Sequence, residues 1–184
     1  MATAREKKLQ PRAWGLALAL TAAFAFAPAL HAAERTLDVG NGKTLRYELL
    51  DQDAPSSSAR ATALVVLRHL ADGNIAEAAR LSNAPARREE VLREYQSSVG
   101  GEEFKRVFLQ YLDNSNAVVA EVAIGAHRLI IWRLAGPGKP LAGQFYVERD
   151  GRFLLDDVPS ETRSNLRRVL QSYRAGATAS ERKD

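Results

Sequence analysis

The chain has 184 residues, no cysteine, and 26 Lys and Arg against 22 Asp and Glu. That length suits one domain with a full hydrophobic core, and the missing cysteines exclude disulfides and a lipid anchored on cysteine. Four of the basic residues and one of the acidic ones precede Ala33, which leaves 22 against 21 beyond it, so the balance gives no argument for nucleic acid or an anionic surface as partner.

Arg5, Lys7, Lys8 and Arg12 lead into an unbroken apolar run from Trp14 to Ala27, then Pro28 and small residues. This is the layout of a secretory signal peptide. The run is shorter than the roughly 20 apolar residues that span a bilayer. Residues 1–32 therefore read as a cleaved leader, with cleavage after Ala32 or Ala33. The mature chain is expected to be exported, to the periplasm of a Gram-negative bacterium, with no transmembrane segment after cleavage.

Residues 33–58 read as a hairpin and a linker. Leu37 and Val39 alternate with polar neighbours, Gly40-Asn41-Gly42 supplies residues that tolerate positive φ, and Leu45, Tyr47 and Leu49 alternate on the return. A helix is predicted from Ser58, with Leu64, Val65, Val66, Leu67 and Leu70 spread around its circumference, as in a mostly buried helix. Asp72-Gly73-Asn74 stops it, with Asn74 as N-cap of a short second helix. Asn83 with Pro85 begins a third, which Gly100-Gly101 ends. In the next helix Phe104, Val107, Phe108, Tyr111 and Leu112 form one stripe, and Glu102 and Glu103 suit its first turn.

From Ala117 the period changes. "AVVAEVAI" and "RLIIWRL" flank Gly125-Ala126-His127 as two strands and a turn. Residues 136–140 form a loop. Phe145 and Val147 then alternate with Tyr146 and Glu148, Arg149 to Arg152 turns, and Phe153 to Leu155 returns. These four strands predict an antiparallel meander. Ser160 can cap a last helix whose apolar stripe is Leu166, Val169, Leu170 and Tyr173. The main domain is thus placed at 59–174, with a disordered tail from Ala175.

Helices first and a meander last, in an α+β chain, resemble the NTF2-like (cystatin-like) superfamily. The residues that carry the resemblance are "LVVLRHLADGNIAEAARL", a helix turning at Asp-Gly-Asn into a second helix, and "AGQFYVERDGRFLLDDV", a final hairpin with aromatic Phe153 after the turn glycine. The resemblance implies N-terminal helices packed on a curved antiparallel sheet, shaped as a cone. It implies a cup that serves isomerases, dehydratases, binding proteins and interaction modules alike, so function must come from the site. The N-terminal hairpin and C-terminal helix depart from the pattern and are expected to cap the cone or extend a dimer surface.

No metal, nucleotide or nucleophile motif is present in the sequence: there is no His pair at i, i+4, no Asp-rich loop, no phosphate loop and no nucleophile elbow. No cofactor is expected. An enzyme like the superfamily's ketosteroid isomerases needs a carboxylate base in an apolar pocket and a Tyr or acid donor. Glu121 is the best carboxylate on a strand. Turned toward the helices it becomes a candidate base; alternation sets it opposite Val118, Ala120, Val122 and Ile124, which favours a solvent-facing charge. His69, Tyr95 and Tyr111 complete the candidate pocket, with Tyr146 as a further donor and no assignable catalytic residue. His127 reads as an exposed turn residue. Trp132 is placed on an exposed sheet or dimer face, and Arg163 and Arg167 on a solvated helix face open to an acidic partner. With no matched acid and base, the expected function is non-catalytic binding of a partner protein or an apolar small molecule. The alternatives are an isomerase or dehydratase acting on a small apolar carbonyl compound, and an envelope protein that dimerises through its sheet face.

Overall fold

The computed structural model describes residues 32–50 and 58–181. Residues 1–31 of the expected 1–32 leader, the linker at 51–57 and the last three residues lie outside the described residues. One antiparallel sheet runs in chain order: β1 (Ala32–Asp38), β2 (Thr44–Leu50), β3 (Ala117–Ile124), β4 (His127–Arg133), β5 (Leu141–Arg149) and β6 (Arg152–Leu155). The last four strands are the predicted meander. The N-terminal hairpin is no separate addition: Glu48, Leu49 and Leu50 pair with Ala123, Val122 and Glu121, so β1 and β2 continue the same sheet.

Helices lie on both faces. On one are α1 (Ser58–Ala71), α2 (Ile75–Arg80), α3 (Pro85–Val99) and α4 (Gly101–Leu109), the last prolonged by a 3₁₀ turn at Gln110–Leu112. Val66, Leu67, Leu70, Leu92 and Phe104 meet Ile130, Trp132, Tyr146, Phe153 and Leu155 there. On the other face α5 (Glu161–Glu181) buries Leu166, Val169 and Leu170 against Ala120, Val122, Leu129 and Ile131. The continuous apolar run of β4 is the local cause, since a strand apolar on both sides needs cover on both. No helix among the described residues is long and apolar enough to cross a membrane.

Several local expectations change. A bulge between Val118 and Ala120 inserts Val119 and turns Val118 to the helix-bundle face, opposite Trp132. On α1, Leu64 and Val65 are 43% and 42% exposed, so that helix is amphipathic rather than buried all round. Ser160 caps α5 as predicted, its Oγ accepting from the Arg163 N–H at 3.0 Å. Asn74 makes no capping hydrogen bond, and α3 starts from Ala84 rather than Asn83. The α5 backbone runs past Ala175 to Glu181 through Ala177 and Ala179, which favour helix.

Candidate functional site

The site follows from unequal strand lengths. β5 has nine residues and β6 four, so β6 covers only Tyr146 to Arg149. The Asp156 N–H adds one more bond, to the Phe145 carbonyl at 2.9 Å, and the chain then leaves the sheet. On its other side β5 bonds β4 in a fixed phase: the Glu148 N–H donates to the Ala126 carbonyl and the Leu134 N–H to the Pro140 carbonyl. In an antiparallel ladder that phase alternates. Tyr146, Gln144 and Ala142 therefore address β4, while Phe145, Gly143 and Leu141 turn their backbone groups outward. The Leu141 carbonyl accepts from Arg174 Nε at 3.0 Å. Between these two occupied carbonyls, the Gly143 N–H and C=O and the Phe145 N–H have no partner among the described residues.

This open edge borders a cleft of about 280 Å³. Val66, Leu70, Ala78, Leu92 and Leu155 give it an apolar floor, and Gln144, Asp156, Arg88 and Arg163 supply its polar groups. Arg88 grips the Asp157 carboxylate with two nitrogens, one of them Nε at 2.7 Å. Ser82 Oγ donates to the same carboxylate at 2.6 Å. Asp156, 3% exposed, accepts from Asn83 Nδ2 and bonds His127 Nδ1, both at 2.9 Å. The Asn83 side-chain oxygen takes the Asp157 and Val158 N–H groups. Gln144 Oε1 accepts from Trp132 Nε1 at 3.0 Å and the Tyr146 hydroxyl at 3.3 Å. Burial holds the Tyr146 phenol far above its ordinary range; nearby Asp157 adds to the effect and Arg88 opposes it.

Arg163 differs from Arg88. Its guanidinium lies over the Phe145 ring, 5.4 Å from the centroid. Its Nε is shut off from solvent and has no hydrogen-bond partner among the described residues. A second hollow of about 180 Å³ adjoins the cleft through Arg88 and Arg163, with Arg87, Val91 and Pro159 at its rim. A larger depression, about 490 Å³, lies at the β1–β2 hairpin. Its charged groups, Glu34, Arg46 and Glu48, are all exposed, and Glu34 and Arg46 pair only at 3.9 Å, so it offers no buried group to orient a ligand.

Of the sequence-derived pocket, Tyr95 and Tyr111 lie within electrostatic reach of one another. Glu121 faces the helix bundle, not water, because both faces of the sheet are covered; it is 1% exposed and its Oε2 accepts from Arg60 Nε at 2.9 Å. A carboxylate locked to arginine is not the free base the enzyme reading needs. Tyr95 packs on the Phe104 and Phe108 rings at the α3–α4 contact, and Tyr111, on the 3₁₀ turn, packs against the same core, where burial raises its phenol. His69 is half-buried on α1; its carbonyl accepts from the Asn74 N–H at 2.7 Å, and its ring makes no hydrogen bond among the described residues. None of these four lines the cleft beside β5. Trp132 is 6% exposed under the helix bundle, so it presents no dimer face. Arg167 is exposed on α5, and Arg163 alone of the expected surface residues reaches the cleft. His127, expected as an exposed turn, is half-buried and tied to Asp156. Arg88, Gln144 and Asp156 were not anticipated; their one sequence signal is the acidic pair that follows an apolar strand at Asp156-Asp157. The chain matches no protein-family model, no curated protein and no solved structure.

Proposed function

We propose that the chain is an exported, non-catalytic binding domain of NTF2-like type whose ligand site is the notch beside β5. One observation carries this reading: a cleft of about 280 Å³, floored by apolar side chains from three helices and flanked by arginines. That volume lies near the lower end of ligand pockets, which run from about 300 to 1,000 Å³. It suits a small molecule or a few residues of chain. Both segments that carry the NTF2-like resemblance border it, the first with Val66, Leu70 and Ala78, the second with Gly143, Leu155 and Asp156.

The enzyme alternative has less support. Its carboxylate, Glu121, is engaged by Arg60. The buried Asp156 does orient an imidazole, as in general-base pairs, yet His127 does not border the cleft. Dimerisation through the sheet face loses its main residue with the burial of Trp132. The test is native mass spectrometry of the protein purified without denaturation from the envelope of its own host. Bound mass that leaves on denaturation is expected, and it should be missing from an Ala78→Leu variant that fills the floor, its folding checked by circular dichroism because Ala78 is fully buried. Bare protein in both samples would overturn the reading.

A further inference from the structure

The open edge of β5 narrows the ligand class. Gly143 offers a donor and an acceptor on the same side, and Phe145 a further donor, at strand spacing. Another strand supplies that alternation of carbonyl and N–H; a hydrocarbon chain supplies none of it. The edge is short and blocked at both ends. The Phe145 carbonyl is taken by the Asp156 N–H, and the Leu141 carbonyl by Arg174. Four steps of about 3.3 Å separate those residues, room for about three residues.

We infer that the notch binds the last three residues of an extended polypeptide, which add to the edge of β5 and place their terminal carboxylate between the Phe145 N–H and Arg163. This rests on the binding-domain reading and names its ligand. The chain runs parallel to β5. The Gly143 N–H takes the carbonyl of the antepenultimate residue, and the Gly143 carbonyl takes the N–H of the last one. The next group along the edge is the Phe145 N–H, which meets the terminal carboxylate. The chain must end there, because the following acceptor is already occupied. Arg163 stands over Phe145 with a buried, unpartnered Nε, so an anion at this point meets both a backbone donor and a guanidinium. Side-chain preference follows from the pleat. The last residue points to the apolar floor of Val66, Leu70 and Leu92. The penultimate one faces the α5 side, where Leu170 crowds Gly143, and must be small.

The test uses the ¹⁵N-labelled mature protein and acetyl-Ala-Gly-Leu as probe, with a free carboxylate or as the amide. The Gly143 and Phe145 amide resonances are expected to move most, with the acid binding at least tenfold more tightly than the amide. Arg163→Ala should bring the acid down to the level of the amide, and Arg163→Lys should restore part of the difference. Equal affinity for acid and amide, no binding of either at millimolar concentration, or shifts centred away from β5 would overturn the inference. Decanoate separates the two levels. If it binds through Arg163 while the tripeptide does not, a binding domain remains and a peptide ligand does not.

Discussion

Removing Arg60 tests whether Glu121 is structure or chemistry. The pair meets at 2.9 Å, with side chains 16% and 2% exposed. At roughly 4 Å between charge centres and an effective dielectric near 20, the attraction is about 4 kcal/mol. Arg60→Met strips it away and leaves a desolvated carboxylate, which should cost about 3–5 kcal/mol. In a domain of this size that lowers Tm by about 6–20 °C. Replacing both groups, with Arg60→Met and Glu121→Leu, removes the buried charge altogether and should recover most of the loss. Urea unfolding reports this directly, because Trp132 is the one tryptophan among the described residues and is buried. Should each single change cost under about 1 kcal/mol and the double simply add them, Glu121 is not locked by Arg60, and it returns as a candidate base.

Three further outcomes are expected. In Gly143→Ala the new Cβ would lie 2.5 Å from Leu170 Cδ2 and 3.0 Å from Leu129 Cδ1; overpacking of this kind costs about 1–3 kcal/mol, and thermal melts of the double variant with Leu170→Ala should show less than the sum of the single losses. Tyr146 keeps its proton when folded because burial raises its ionisation above the ordinary 10.0. Its contribution is full below that pH and falls as pH rises, by about 1.4 kcal/mol per unit; in urea titrations across the alkaline range Tyr146→Phe should remove this share and leave the smaller ones of Tyr111 and Tyr173, which burial also raises. Asn83→Ala frees the N–H groups of Asp157 and Val158 and leaves Asp156 short of a donor; hydrogen exchange at those two amides should quicken, with about 1–3 kcal/mol lost in urea unfolding.

Elements with a local cause were legible in the sequence. The Phe104–Phe108 stripe, the Ser160 cap and the turn at Asp150-Gly151, both at positive φ, follow from spacing and residue type alone. Features set by pairing extent were not. Alternation placed Glu121 opposite Ala120 and Val122 correctly, but which face meets water depends on whether a second layer covers it, and α5 does. The bulge at Val119 leaves no mark in a run of small and β-branched residues. Asn83 before Pro85 looks like a helix cap, yet its amide is spent 73 to 75 residues away on Asp156, Asp157 and Val158. The cleft was invisible for the same reason, since no local pattern states that β6 stops short of the end of β5.

The polar cluster and the notch are one device. An apolar strand edge left open invites the following chain to continue along it. Here Asp156 donates once to β5, and Asn83 captures the next two N–H groups, among them that of Val158, the one that would face Gly143 in a continued ladder. Arg88 and Ser82 hold the Asp157 carboxylate, and His127 and Asn83 hold that of Asp156. The bonds to Ser82, Asn83 and Arg88 tie the β6–α5 connection to the α2–α3 corner, off the edge, and His127 ties it to β4. The groups of β5 thus stay exposed in a fixed geometry, with Arg163 already packed on Phe145. A ligand of the proposed kind would have little ordering left to do, which is the condition under which a small contact area still binds. On this argument loosening the cluster at Asn83 weakens the site from a distance, by letting the connection slide back across Gly143.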